Sequence, residues 1–268
     1  MPSGQKLGAP RAIAFRGGGF ALQPRRWASW VAFAAVLLLW QAAVGLRILD
    51  PIFLPSPLSI LLALQHLIAT GELWRHLAAS LSRIAVGWVI GTAAGLAVGL
   101  AMGLSSLARA VGVPLISALF PVPKIALLPL LILWLGIGEP SKWATIALGV
   151  FFPTAIATYS GIDGVPVSLV RMAQSFGLPF HAIVAKVVLP GALPNILAGF
   201  RISAATALLL VVAAEMIGAE TGIGQFVLTE GNLMQTDQLM AGVVVLAVLG
   251  LLIGAALSAL ERWALRWR

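Results

Sequence analysis

The chain has 268 residues, of which 60% are apolar and only 10% charged, with 17 Lys and Arg against nine Asp and Glu for a formal net charge of +8. Soluble domains carry about a quarter charged residues, so this composition describes a chain solvated by the lipid bilayer; the basic excess sits at the termini and between apolar runs, with no basic helix or aromatic platform for nucleic acid. Zero cysteines exclude disulfides, thiolate nucleophiles and Cys-based zinc, the three histidines (His66, His76, His181) lack metal-ligand spacing, and the dispersed carboxylates outline no enzyme active site.

Residues 1–26 hold Lys6, Arg11, Arg16, Arg25 and Arg26 around a Gly17-Gly18-Gly19 run, with no apolar segment before Trp27. A signal peptide has a short apolar core and a nearby small-residue cleavage site. Trp27–Leu46 is instead of spanning length, so residues 1–26 are expected to be a flexible cytoplasmic leader, with a regulatory arm as the alternative. From Leu58 to Leu81 the pattern is amphipathic, with Gln65, His66, Glu72, Arg75 and His76 among leucines. That predicts a helix lying at the membrane surface.

Ile84–Ala108 is the second charge-free run of bilayer length. Along it Gly87, Gly91, Gly95, Gly99 and Gly103 recur every fourth residue, a spacing that lets helix backbones approach closely, within the chain or across a subunit interface. Ala110–Gly138 is apolar but broken by Pro114, Pro121, Pro123 and Pro129. It carries Lys124 beside the break, a candidate to present positive charge or free backbone amides to an anion in a pathway. Trp143–Ile162 is a further span.

Residues 163–190 interrupt the membrane pattern with two short amphipathic turns. Pro166 suits a first helical position, and Val170, Ala173 and Phe176 recur at helical intervals beside Arg171 and Met172. Gly177, expected at positive φ, ends that turn. Leu178-Pro179 restarts the chain, and Phe180, Ile183, Val184 and Val187 form a second stripe until Leu189-Pro190, where proline is expected to end the ladder.

Leu193–Ile217 is a span with Arg201 and Glu215 near its two ends. Arg201 is expected to snorkel to the interface and Glu215 either to be solvated at the helix end or to shape an external gate. Leu239–Leu260 is the last span. The fold expected is therefore all-α, a polytopic membrane protein with six transmembrane helices. The leader, Arg109, Arg171, Lys186, Arg201, Arg262, Arg266 and Arg268 fall on one face, against Arg47, Arg75, Arg83 and Lys142 on the other. By the positive-inside rule the first face is cytoplasmic, with both termini and residues 163–190, while Asp50–Leu81 and Ala219–Gln238 face outward.

Gly177, nine intervening residues, then Val187, Leu189 and Pro190 resemble the cytoplasmic loop signature E-A-A-x3-G-x9-I-x-L-P of permease subunits of binding-protein-dependent ABC importers. Its opening triplet is here Arg171-Met172-Ala173, of which only the alanine matches. Leu54-Pro55-Ser56-Pro57, Gly71-Glu72-Leu73-Trp74, Leu133–Gly138, Pro190–Pro194, Gln235-Thr236-Asp237 and the closing Leu260-Glu261-Arg262-Trp263 are similar to the sulfonate, nitrate and taurine branch of that family, above all to its aliphatic sulfonate permeases.

The resemblance implies a type I importer permease domain over residues 27–268 in a bacterial inner membrane, whose loop docks into an ATPase. It implies as partners two ABC ATPase subunits, a second permease copy and an extracytoplasmic substrate-binding protein. The loop residues it singles out are Val170, Arg171, Met172, Ala173, Phe176, Gly177, Leu178, Val187, Leu189 and Pro190; Lys124 and Glu215 are the pathway or gate candidates. No cofactor is expected on this chain: it contains no G-x4-G-K-[ST] phosphate loop, so ATP and Mg fall to the partner ATPase. Two function classes stay open at this point, a transport subunit of such an importer and an autonomous channel or secondary carrier. No inverted repeat is evident, which weighs against the second.

Overall fold

A computed structural model describes residues 26–267. The expected leader lies outside the described residues, apart from Arg26. The described chain runs through α1 (Arg26–Gly45), α2 (Pro57–Ala69), α3 (Glu72–Leu104), α4 (Ser106–Leu119), a 3-10 turn (Lys124–Leu127), α5 (Leu128–Leu135), α6 (Glu139–Asp163), α7 (Val167–Ser175), α8 (Phe180–Ile183), a π turn (Val184–Val188), α9 (Leu189–Gly218), α10 (Ile223–Asn232) and α11 (Thr236–Ala264). No strand occurs among the described residues.

The glycine stripe decides how the centre packs, and it packs within the chain. A Cβ at Gly87 would lie 2.6 Å from Ile146 Cβ, at Gly95 2.6 Å from the Phe151 carbonyl oxygen, and at Gly103 2.6 Å from Ile162 Cδ1. Residue numbers rise together along both helices, so α3 and α6 run parallel with their backbones in contact. The bent α4–α5 pair, folded by 88° between Leu119 and Lys124, carries the chain back between them. On its other side α6 meets α9 in the opposite sense, Gly149 against Leu210 and Gly161 against Ala192. Ile146 and Val150 of α6 and Ala207 and Val211 of α9 are fully enclosed in one core cluster there.

Four helices are long and apolar enough to cross a membrane: α3, α6, the continuous helix Phe180–Gly218, and α11; the bent α4–α5 pair makes a fifth candidate. α1, with 20 residues, occupies the first run expected to span, and its apolar described part is Trp30–Gly45.

Three boundaries differ from the sequence-based expectation. Glu72–Leu81 does not lie on a surface; it is the opening of α3, because Leu73, His76 and Ser80 are buried on the same face as Arg83 and Gly87. The second span ends at Leu104 rather than Ala108, since Ser105 turns extended and its hydroxyl caps α4 by accepting from the Ala108 N–H at 3.4 Å. Pro190 does not stop a helix. The ladder widens into the π turn at Val184–Val188, with the Leu189 N–H donating to the Val184 carbonyl, and this widened turn lets the helix continue through Pro190, which has no N–H to donate, into α9.

Candidate functional site

The loop between α6 and α9 is a compact knob. α7 turns Ala173 inward, with Val170 and Leu178 packed beside it against Ile183, Val188 and Val165 and the ends of α3 and α9. It closes in a Schellman motif: the Leu178 N–H donates to the Ala173 carbonyl at 3.2 Å and the Gly177 N–H to that of Gln174 at 2.9 Å, with Gly177 at φ +71°. A side chain there is strained, although a Cβ would meet nothing within 4 Å.

The opposite side of the knob is apolar and uncovered. Phe176 is 78% exposed, Phe180 68% and Met172 53%, and Arg171, His181 and Lys186 of the same connection are exposed too. Exposed Met172 and Phe176 in the connection between two spans, with exposed Phe180 at the first residue of the next helix, have the composition of a protein-binding surface rather than of a solvated loop. The singled-out loop residues thus divide: Val170, Ala173, Leu178 and Val187 hold the knob to the body, Leu189 and Pro190 are half-buried in the first turn of α9, and Arg171, Met172, Phe176 and Gly177 face out. Behind it, Asp163 at the end of α6 pairs with Arg109 of α4 at 2.9 Å, and the Arg109 guanidinium lies 5.1 Å over the Tyr159 ring.

At the other end of α9, Glu215 joins a buried network. Its carboxylate, with a side-chain exposure of 0%, accepts from Arg83 Nη1 at 2.8 Å, from the Ser80 hydroxyl at 2.8 Å and from the Gly224 N–H at 2.9 Å. Arg83 also donates through Nε and Nη2 to the two Glu139 oxygens at 2.8 and 2.7 Å, and through Nη1 to the Thr221 carbonyl. Ser80 accepts the Ile223 N–H at 2.9 Å, and His76 Nδ1 lies 3.1 Å from the Gly222 nitrogen. Side chains of α3 and α9 therefore hold the Thr221–Gly224 turn and fix where α10 begins.

Sequence reasoning placed Glu215 at a helix end or gate and counted Arg83 as an external charge, missing their pairing. The available signal was the spacing of His76, Ser80, Arg83 and Gly87, which share one helical face. Lys142 is likewise buried and donates to the Gly138 carbonyl at 2.9 Å. Lys124 donates to the carbonyls of Leu119, Phe120 and Val122 at 2.8, 3.0 and 2.6 Å and sits 4.2 Å over the Phe152 ring. Arg201 bonds Glu261 of α11 at 2.7 Å and Ser258 at 3.2 Å.

Residues 83–267 match the family model described as binding-protein-dependent transport system inner membrane component. Over 88% of its length the chain is 39% identical to 85% of the "Putative aliphatic sulfonates transport permease protein" of Bacillus subtilis, and over 90% it is 41% identical to 92% of the protein of the same name from Escherichia coli. The taurine transport system permease protein of Escherichia coli is 38% identical, with 87% of each chain covered. Among solved structures, an inward-facing methionine ABC transporter chain superposes with a TM-score of 0.58 at 25% identity, covering 69% of this chain and 92% of that one. An amino acid ABC transporter chain shares the fold at a TM-score of 0.55, with 18% identity and coverage of 72% and 92%. The parallel α3–α6 core, the bent α4–α5 pair and the knob between α6 and α9 are thus those of a multi-pass transport permease, and the chain belongs to the inner membrane components of binding-protein-dependent transport systems.

Proposed function

We propose that this chain imports aliphatic sulfonates, delivered by an external binding protein, using ATP and Mg held by separate ATPase subunits. The observation that carries the coupling part is the knob with its uncovered Met172, Phe176 and Phe180 and its Gly177 bend. The proposed docking surface comprises Arg171, Met172, Phe176 and Gly177, supported from below by Val170, Ala173, Leu178, Val187, Leu189 and Pro190. The sulfonate part is supported by the two relatives named for that substrate.

The residues carry a mechanical argument. Phe180–Gly218 is one helix of 39 residues with the knob at one end and Glu215 near the other. At 1.5 Å per residue the rod between Phe180 and Glu215 is roughly 50 Å long. Closure of the ATPases on the knob would tilt that rod and, through Glu215, Arg83 and Ser80, move the Thr221–Gly224 turn at the far end. Glu215 acts here as a link to an external gate, and Lys124 as a charge at the edge of the pathway. Two permease copies and two ATPases complete a symmetric pathway that a single unrepeated copy lacks.

The orientation that fits puts both termini and the knob in the cytoplasm. Arg83 and Lys142 on one side and Arg109 and Arg201 on the other are spent on partners, and the cations that remain, Arg171, Lys186, Arg262 and Arg266 at the knob's end against Arg47 and Arg75 at the far end, keep the same bias. The substrate reading is tested by uptake of butanesulfonate into proteoliposomes holding the complete importer, with taurine and nitrate as competitors. Inhibition by alkanesulfonates above that by taurine, with none by nitrate, is expected. Transport of nitrate, or taurine outcompeting every alkanesulfonate, would reassign the substrate.

A further inference from the structure

The break between α4 and α5 borders an amphipathic cleft of about 350 Å3 between α3, α4 and α6, within the roughly 300–1,000 Å3 typical of small-ligand sites. Met102, Ile116 and Phe120 give it an apolar wall, while Ser117, Tyr159 and Ser160 bring hydroxyls to it. Thr145, Thr158 and Ser258 turn their hydroxyls back to a carbonyl of their own helix, those of Ser141, Thr154 and Gly254, each at 2.8 Å, whereas the buried Thr92 and Thr154 hydroxyls have no partner. Ser117, Tyr159 and Ser160 make no such bond either; Ser117 and Ser160 are exposed and Tyr159 half-buried, so their hydroxyls are open to whatever occupies the cleft.

Its position is a second, independent sign. Non-helical backbone at membrane depth is tolerated where protein buries it or where it lines a water-filled cavity, and this break borders the cleft. The carbonyl end of α4 would repel an anion. Lys124 offsets this, because its ammonium is held on the Leu119, Phe120 and Val122 carbonyls. At the other lip Arg109 covers Tyr159 while paired with Asp163.

We infer that this cleft is a transit subsite for an alkyl oxyanion, its chain against Met102, Ile116 and Phe120 and its oxygens accepting hydrogen bonds from Ser117, Tyr159 and Ser160. The inference rests on the sulfonate reading above. Uncharged donors fit such a role, since a bare cation in low dielectric would trap the anion, whereas a conducting site must bind weakly enough to release.

The chain contains no cysteine, so Ser117→Cys and Ser160→Cys each place a single thiol in the cleft of the complete importer. The probe is a methanethiosulfonate carrying an ethylsulfonate, applied with and without butanesulfonate. Butanesulfonate is expected to slow labelling at least about fivefold, and butyltrimethylammonium at the same concentration to leave it unchanged. In parallel, Ser117→Ala/Tyr159→Phe/Ser160→Ala should lower butanesulfonate uptake about tenfold, equivalent to about 1.4 kcal/mol, while binding-protein-stimulated ATP hydrolysis persists. Normal uptake by the triple variant, or labelling that butanesulfonate does not slow, overturns the assignment. Equal protection by both amphiphiles overturns it in favour of a lipid-filled groove. Failure of the unsubstituted importer to take up butanesulfonate removes the sulfonate reading itself, a result obtained before any variant is made.

Discussion

Removing Arg83 should be the most damaging single change at the external end, because it strands a buried charge. In Arg83→Met, Glu215 keeps the Ser80 hydroxyl and the Gly224 N–H but loses its counter-charge at a site with 0% side-chain exposure. Breaking a buried pair from one side costs about 3–5 kcal/mol. The Arg83–Glu139 pair is different, since Glu139 is 43% exposed, and Glu139→Gln should cost at most about 1 kcal/mol. At about 2–4 °C per kcal/mol for chains of this size, Arg83→Met should lower the unfolding midpoint in detergent by roughly 6–20 °C and Glu139→Gln by about 4 °C or less, followed by intrinsic tryptophan fluorescence. Arg83→Met/Glu215→Leu should recover part of the loss, because no unpaired charge is then buried. The recovery is incomplete, since the Gly224 N–H loses its acceptor. Equal midpoints for Arg83→Met and Glu139→Gln would refute the claim that the Glu215 carboxylate is sequestered and held by Arg83.

Other consequences follow from the packing and the charges. Gly99→Leu should cost about 1–3 kcal/mol or more, because a Cβ there already falls 2.6 Å from Thr158 Cβ; Gly254→Leu, with nothing within 4 Å of a Cβ, should leave the unfolding midpoint nearly unchanged, and the two are compared in one melting series. Glu230 of α10 is buried with Oε2 unpartnered; burial first, then the nearby Glu72 and Asp237, raise its pKa above the ordinary carboxylate value. A raised folded-state pKa means the folded form holds the proton more tightly, so this group's stabilisation is present below the ordinary carboxylate range and lost as pH rises through the raised value. Glu230→Gln should therefore melt higher than the unsubstituted chain at pH 7, with the gap closing as pH falls into the ordinary carboxylate range; a gap that does not change with pH contradicts the assignment. Single cysteines at Gly177 and Glu72 should be reached by an impermeant thiol reagent from opposite sides, Glu72 from outside intact cells, and external labelling at Gly177 would invert the topology.

Much of the fold was legible because its determinants are periodic. The glycines at four-residue spacing foretold a close helix contact, and α6 supplies it. Apolar runs located α1, α6, α9 and α11 to within a few residues, apart from the upstream extension of α9. That extension was hidden by Pro190, since proline usually ends a helix and a π turn that accommodates it leaves no mark in residue pattern. The opening of α3 was read as a surface helix for a related reason: His76, Ser80 and Arg83 look like solvated polar residues until α9 and α10 supply Glu215 and the Thr221–Gly224 turn. Long-range pairing of that kind, across 132 residues for Arg83 and Glu215, has no local signature. The bend at Gly177 was readable, because a glycine closing an amphipathic stripe marks a left-handed cap, whereas the division of the loop into inward Ala173 and outward Phe176 depends on where α3 and α9 end.

The central claim is that the knob couples this permease to ATP hydrolysis, and Gly177→Trp addresses it directly. The new side chain projects into open space, so the cost to the fold is confined to positive-φ strain of about 1–2 kcal/mol, while the indole lies beside Phe176 on the surface assigned to the ATPase. Binding-protein-stimulated ATP hydrolysis and butanesulfonate uptake, measured in the same proteoliposomes for both forms at matched insertion, give the decision. The account predicts that the unsubstituted complex shows both activities and that Gly177→Trp inserts normally but loses both; wild-type stimulation and uptake in the variant would contradict it.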